Sequence, residues 1–112
     1  MAKSKQAIIE KYVPMSETAF YMLLSLNKER HGYGIMQYVQ KLTSQRLKIG
    51  PGTIYGTLSK MEADGLIESV DQIDRRKIYK QTPLGAMVLL LEFERLEKMV
   101  ADSRKAGLQN ER

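Results

Sequence analysis

The chain has no cysteine and no tryptophan, and it has a single histidine, His31. Without thiols there is no disulfide framework, no thiolate nucleophile and no cysteine-ligated zinc, which agrees with a reducing compartment. A lone histidine followed by glycine in a stretch that reads as a turn is poor material for acid–base catalysis, so a surface or packing role is expected of it. Long apolar runs are missing too. None approaches the roughly 20 residues that a spanning helix needs, and the opening MAKSKQAIIEKY lacks the apolar stretch of a secretory leader. A cytoplasmic location with no membrane partner is the expectation. Asp71, Asp74 and the scattered glutamates show no metal-ligand grouping, and Glu92, Glu94 and Glu97 read as the solvated side of the last helix. The run from Lys48 to Thr53, KIGPGT, has the wrong spacing for a phosphate loop, and no strand precedes it. Neither an enzyme nor a cofactor is expected.

What is present is basic and of a size for one core. The 112 residues are 43% hydrophobic, and 18 Lys and Arg against 13 Asp and Glu leave a net charge of +5, which points to an anionic partner without naming it. There is no repeat and no linker. Ser4 to Val13 reads as a short amphipathic helix with Ile8, Ile9, Tyr12 and Val13 as apolar contacts, ended by Pro14. Ser16 can cap the next helix, whose Ala19, Phe20, Met22, Leu23, Leu24 and Leu26 are apolar nearly all round and predict a buried central element. After a turn over Asn27–Gly32, Tyr33 to Leu42 forms a third helix with Ile35, Val39 and Leu42 inward.

The densest signal lies between Gly50 and Ile67, GPGTIYGTLSKMEADGLI. Pro51 suits a first helical turn, with Gly50 or Thr53 as N-cap. Ile54, Leu58 and Met61 share one face, flanked by Tyr55. Gly65 stands where a left-handed C-terminal residue is needed, and Leu66 can pack back on the last turn. The opposite face offers Thr53, Gly56, Thr57, Ser59 and Lys60, small or hydrogen-bonding residues suited to base edges and phosphates. Such a helix is the second of a helix-turn-helix. Arg46 and Lys48 lie in the loop before it.

Leu66–Val70 and Lys77–Lys80 then read as two strands joined by Asp71–Arg76, a hairpin placed where a winged helix carries its wing. Its run Arg75, Arg76 and Lys77 is either phosphate-contacting or simply solvated. The last helix, about Pro83 to Ala106, has two apolar sides at about 100° per residue: Leu84, Met87, Val88 and Leu91, and nearly opposite them Leu89, Phe93, Leu96 and Val100. The second stripe suits a partner helix in a homodimer, unless it folds back on Ile8–Val13. The fold class is therefore mainly α with a small β-hairpin. It comprises a winged helix-turn-helix unit with an N-terminal helix over residues 1–82 and a dimerisation helix over 83–112, in one compact body.

HGYGI at His31–Ile35, GPGTIYGTL at Gly50–Leu58, KMEADGLIES at Lys60–Ser69 and RRKIYKQTPLG at Arg75–Gly85 resemble the PadR family of bacterial transcriptional regulators over nearly the whole chain. The resemblance implies a winged-helix dimer that represses transcription, here with the short C-terminus of the small subfamily. It implies that Tyr33 lies near the DNA backbone and that Thr53, Ser59 and Lys60 face the major groove. Together with Lys48, Tyr55, Gly56, Arg75, Arg76 and Lys77, these make the candidate DNA contacts. Leu89, Phe93, Leu96 and Val100 make the candidate dimer interface, and double-stranded DNA and a second copy are the expected partners. Some relatives bind planar or phenolic compounds between subunits. Without tryptophan a stacking pore loses its usual ring, Phe93 is the only aromatic of the last helix, and any effector is left unnamed. Because Glu62 and Asp64 are unfavourable near phosphate, the competing expectation is a protein-interaction module or a ligand-responsive adaptor that does not read DNA.

Overall fold

A computed structural model of the chain describes residues 4–108. Its order is α1 (Lys5–Tyr12), α2 (Glu17–Ser25), α3 (Gly32–Leu42), α4 (Pro51–Ala63), β1 (Ile67–Ile73), β2 (Arg76–Gln81) and α5 (Pro83–Lys105). Helix starts are fixed locally. Ser4 and Ser16 accept from the N–H groups of Ala7 and Ala19, each at 3.1 Å, and Thr82 accepts from Gly85 at 3.1 Å. Gly50 is the N-cap of α4, with Pro51 at its first position and no side-chain bond. At the other end Gly65 takes φ +78°, while Gly65 N–H reaches Glu62 O at 3.1 Å and Leu66 N–H reaches Met61 O at 2.9 Å. This is a Schellman ending, and it turns the chain directly into the hairpin.

The core is built where these elements meet. Met22 and Leu23 of α2 with its C-cap Leu26, Ile35 and Val39 of α3, and Ile54, Leu58 and Met61 of α4 are all buried, joined by Ile8, Leu66, Ile67, Tyr79 and Val88. α2 is thus the central element, and α5 closes the domain by packing on α1, α2 and β2. That closure depends on Gly85, where a Cβ would lie 2.0 Å from the carbonyl oxygen of Leu66. Leu42 departs from the expectation. It is 47% exposed, because it is the last residue of α3, where the chain turns away through Thr43.

The hairpin is longer than its polar sequence suggests. Asp71, Gln72 and Ile73, expected in the connection, pair with Ile78, Lys77 and Arg76, and the turn shrinks to Asp74 and Arg75, both left-handed at φ +51° and +65°. Two consecutive positive φ values make the type I′ turn that matches strand twist, and backbone pairing does not require apolar side chains on a solvated hairpin. A bulge at Val70 shifts the register between Ser69 and Asp71. A further pairing has no counterpart in the sequence pattern: Arg30 exchanges backbone bonds with Tyr79 at 3.0 and 2.8 Å, a one-residue third strand between α2 and α3.

Candidate nucleic-acid interface

α4 presents its two faces as periodicity demands. Ile54 and Met61 are fully buried and Leu58 nearly so, while Thr53, Gly56, Ser59 and Lys60 are exposed and Thr57 is half-buried. A Cβ built on Gly56 meets nothing within 4 Å, so the middle of the exposed face is open to a close approach. Tyr55 is 51% exposed, and its ring lies over Gly32 at the start of α3, where a Cβ would stand 2.6 Å from Cε1. Gly32 is what lets the two helices sit this close.

The N-terminus of α3 borders the same surface. His31 caps this helix, its Nδ1 accepting from the N–H of Gly34 at 3.0 Å, and its ring stacks on Tyr33 with centroids 6.5 Å apart. Tyr33, which the stack steadies, is half-exposed, and Lys48 is exposed in the loop ahead of α4.

The basic run of the wing does not act as one patch. Neighbouring strand residues point to opposite faces, so Arg76 and Lys77 diverge, with Arg75 between the strands at the tip. Arg76 lines a polar cleft with His31, Ile73, Asp74 and Ile78. Lys77 turns toward α4, its Nζ 3.6 Å from Glu62 Oε1. Around this contact the phenol of Tyr79 is pushed up chiefly by burial, opposed by Lys77 and reinforced by Glu62 and Tyr55.

The carboxylates at the end of α4 are engaged inside the chain. Glu62 faces Lys77. Asp64, its side chain only 7% exposed, accepts from Lys11 Nζ at 2.6 Å and from Tyr12 Oη at 2.7 Å. Burial, the Asp64 hydrogen bond and the Asp64 charge together push the Tyr12 phenol up. Arg30, which sequence reasoning passed over, donates from Nε to Ser25 O at 2.8 Å and lies 3.9 Å from the Tyr38 ring centroid, bracing the third strand.

α5 corrects the sequence reading at Glu92. Glu92, expected on the solvated side, is 1% exposed, because Arg95 grips it from Nε at 2.7 Å and from Nη2 at 2.8 Å. The Arg95 hydrogen bonds hold its carboxyl below the usual range against the upward push of burial, helped by the Met15 backbone N–H and the Arg95 charge. The four residues of the second apolar stripe differ in exposure. Leu89 packs partly against its own core, and Leu96 lines a cleft with Met15, Phe20 and Tyr21. Phe93 and Val100 remain exposed at 47% and 49%, joined by Leu90 at 55%.

Among the described residues no helix is long and apolar enough to cross a membrane. Residues 7–90 match the family model described as the transcriptional regulator PadR-like family. A transcriptional regulator of Mycobacterium tuberculosis is 32% identical over 79 residues, covering 68% of this chain and 71% of its own length. Among solved structures, a transcriptional regulator from Clostridium thermocellum superposes with a TM-score of 0.68 at 23% identity, over 91% of this chain and 99% of that one. PadR of Bacillus subtilis, solved in complex with operator DNA, gives a TM-score of 0.59 at 24% identity, over 83% of this chain and 63% of that one.

Proposed function

The chain belongs to the PadR-like family of transcriptional regulators, and from that membership we propose that it is a homodimeric repressor reading a two-fold related operator in double-stranded DNA. The observation that carries this reading is α4 itself. It is anchored from behind by Ile54, Leu58 and Met61, and it holds a small, hydrogen-bonding face in the open with a wing directly after it. That the Bacillus subtilis relative was solved in complex with operator DNA supports DNA as the target.

In this reading α4 enters the major groove. Thr53, Ser59 and Lys60 meet base edges, and Gly56 admits the close approach. Lys48, Tyr33 and Tyr55 flank the groove and bind the backbone, while Arg75 and Arg76 neutralise phosphate from the wing. Lys77 divides its charge between Glu62 and the DNA, so it contributes less than the two arginines. Two protomers associate through α5, with Leu90, Phe93 and Val100 at the centre and Leu96 alongside, and half-sites fall about one helical turn apart or a multiple of it. The protein-interaction alternative drew on the acidic end of α4, and both of those carboxylates are held by groups of this chain.

Selection of bound duplexes from a random pool, followed by a salt titration of the selected one, tests the proposal. A shared half-site should emerge, and log affinity should fall linearly with log salt at about 0.9 for each phosphate neutralised. An unenriched pool, or an affinity insensitive to salt, would overturn the DNA-reading function and favour a protein partner.

A further inference from the structure

One short segment is anchored at once to the helix that faces the groove and to the helix that carries the exposed apolar stripe. At one end of this segment, Lys11 and Tyr12 hold the Asp64 carboxylate at the close of α4. At its other end Met15 and Glu92 of α5 line the same cleft between α2 and α5, where the Met15 backbone N–H helps keep the Glu92 carboxyl ionised. Ile8, buried in the core, seats the helix from which the segment emerges.

Neither anchor is required to end a helix or fill a core. α4 is already terminated by the backbone bonds of Gly65 and Leu66, and an apolar side chain could take the place of Glu92 without the cost of desolvating a charge. Buried polar contacts of this kind favour one relative placement of the elements they join, because a small displacement takes Lys11 and Tyr12 from the Asp64 carboxylate and the Met15 N–H from Glu92, even though Arg95 travels with Glu92 on α5.

We propose that residues 11–15 form a positioning strut: Tyr12 and Lys11, acting through Asp64, set the angle of the recognition helix, and Glu92 holds the strut to α5. A displacement of α5 therefore changes how well α4 distinguishes one DNA sequence from another. Tyr12 and Asp64 are positioning residues and do not themselves touch the DNA. The proposal rests on the DNA-reading function put forward above.

The test uses the full chain and the ratio of two affinities, one for the duplex selected by the wild type and one for an unrelated duplex of equal length at the same salt. Tyr12→Phe keeps the ring and removes the hydroxyl, and it should lower the ratio about tenfold, mainly through the selected duplex. A purely structural role would lower the melting temperature and leave the ratio unmoved, which would overturn the proposal. Glu92→Met should lower the ratio as well, and the double variant should lose less than the product of the two separate losses. Independent, multiplying effects would overturn the link between the two ends. Should Glu92→Met fail to fold, Glu92→Gln, which keeps the side chain's size and removes its charge, takes its place in the cycle. Failure of the wild type to prefer any duplex would instead strike the DNA-reading function, and the strut proposal with it.

Discussion

Two glycines place opposite demands on an added methyl group. Gly85 sits where a Cβ would press to 2.0 Å from a backbone oxygen of Leu66, and neither α5 nor the root of β1 can give way without disturbing the core between them. Gly85→Ala is therefore expected to cost about 2–4 kcal/mol, read by thermal or denaturant unfolding. Gly56 has open space around it, so Gly56→Ala should stabilise the free protein by roughly 0.5–1 kcal/mol through helix propensity. The same variant should bind the selected operator more weakly, and unaltered binding would move the bases away from this part of α4. Glu92 adds a dependence on acid. Its folded pKa is lowered by Arg95, so its contribution to stability is present above the unfolded value near about 4.3 and is lost as pH falls through the folded one. The gap in melting temperature between wild type and Glu92→Gln should hold steady from neutral pH to about pH 5 and close on further acidification; a gap that widens in acid would contradict the pairing with Arg95.

Among the elements, the wing is where separate roles can be measured. Replacing Arg75 and Arg76 together by alanine should weaken all duplexes alike and flatten the plot of log affinity against log salt by up to about two, whereas Lys77→Ala, which also loses Glu62, should flatten it by less than about one. A changed base preference with an unaltered slope would place the arginines against bases. The helices were legible because their signals are local: Ser4, Ser16, Pro51 and Gly65 mark ends, and Ile54, Leu58 and Met61 repeat at helical spacing. The extent of the hairpin was not legible. Asp71 and Gln72 look like connection residues, and a left-handed Asp74–Arg75 turn carries no glycine to announce it. The burial of Glu92 and Asp64 escaped for a different reason: Arg95 stands only three residues beyond Glu92, but the Met15 backbone that also meets Glu92, like Lys11 and Tyr12 at Asp64, is brought near only by the tertiary fold. Of the candidate site, the exposed face of α4 followed from periodicity alone, whereas the division of the basic run among tip, cleft and helix depends on strand register.

For the whole molecule, the exposed part of α5 invites association. Phe93→Glu should weaken a homodimer by several kcal/mol while leaving each protomer folded, because the ring is half in solvent and lies outside the buried core. Sedimentation of the variant at several concentrations would check this, and an undisturbed dimer would remove this stripe from the interface. Leu96→Glu is the less clean choice, since Leu96 also lines the cleft beneath α2. The small sheet has a consequence for how many such molecules behave together. β2 is bordered on one side by β1 and on the other by Arg30, which leaves the outer edge of β1 as the free template for pairing with another chain. The bulge at Val70 interrupts that template, and Glu68 and Asp71 charge it on either side. Crowded molecules are thereby discouraged from joining wing to wing into fibres, and association is left to the helix.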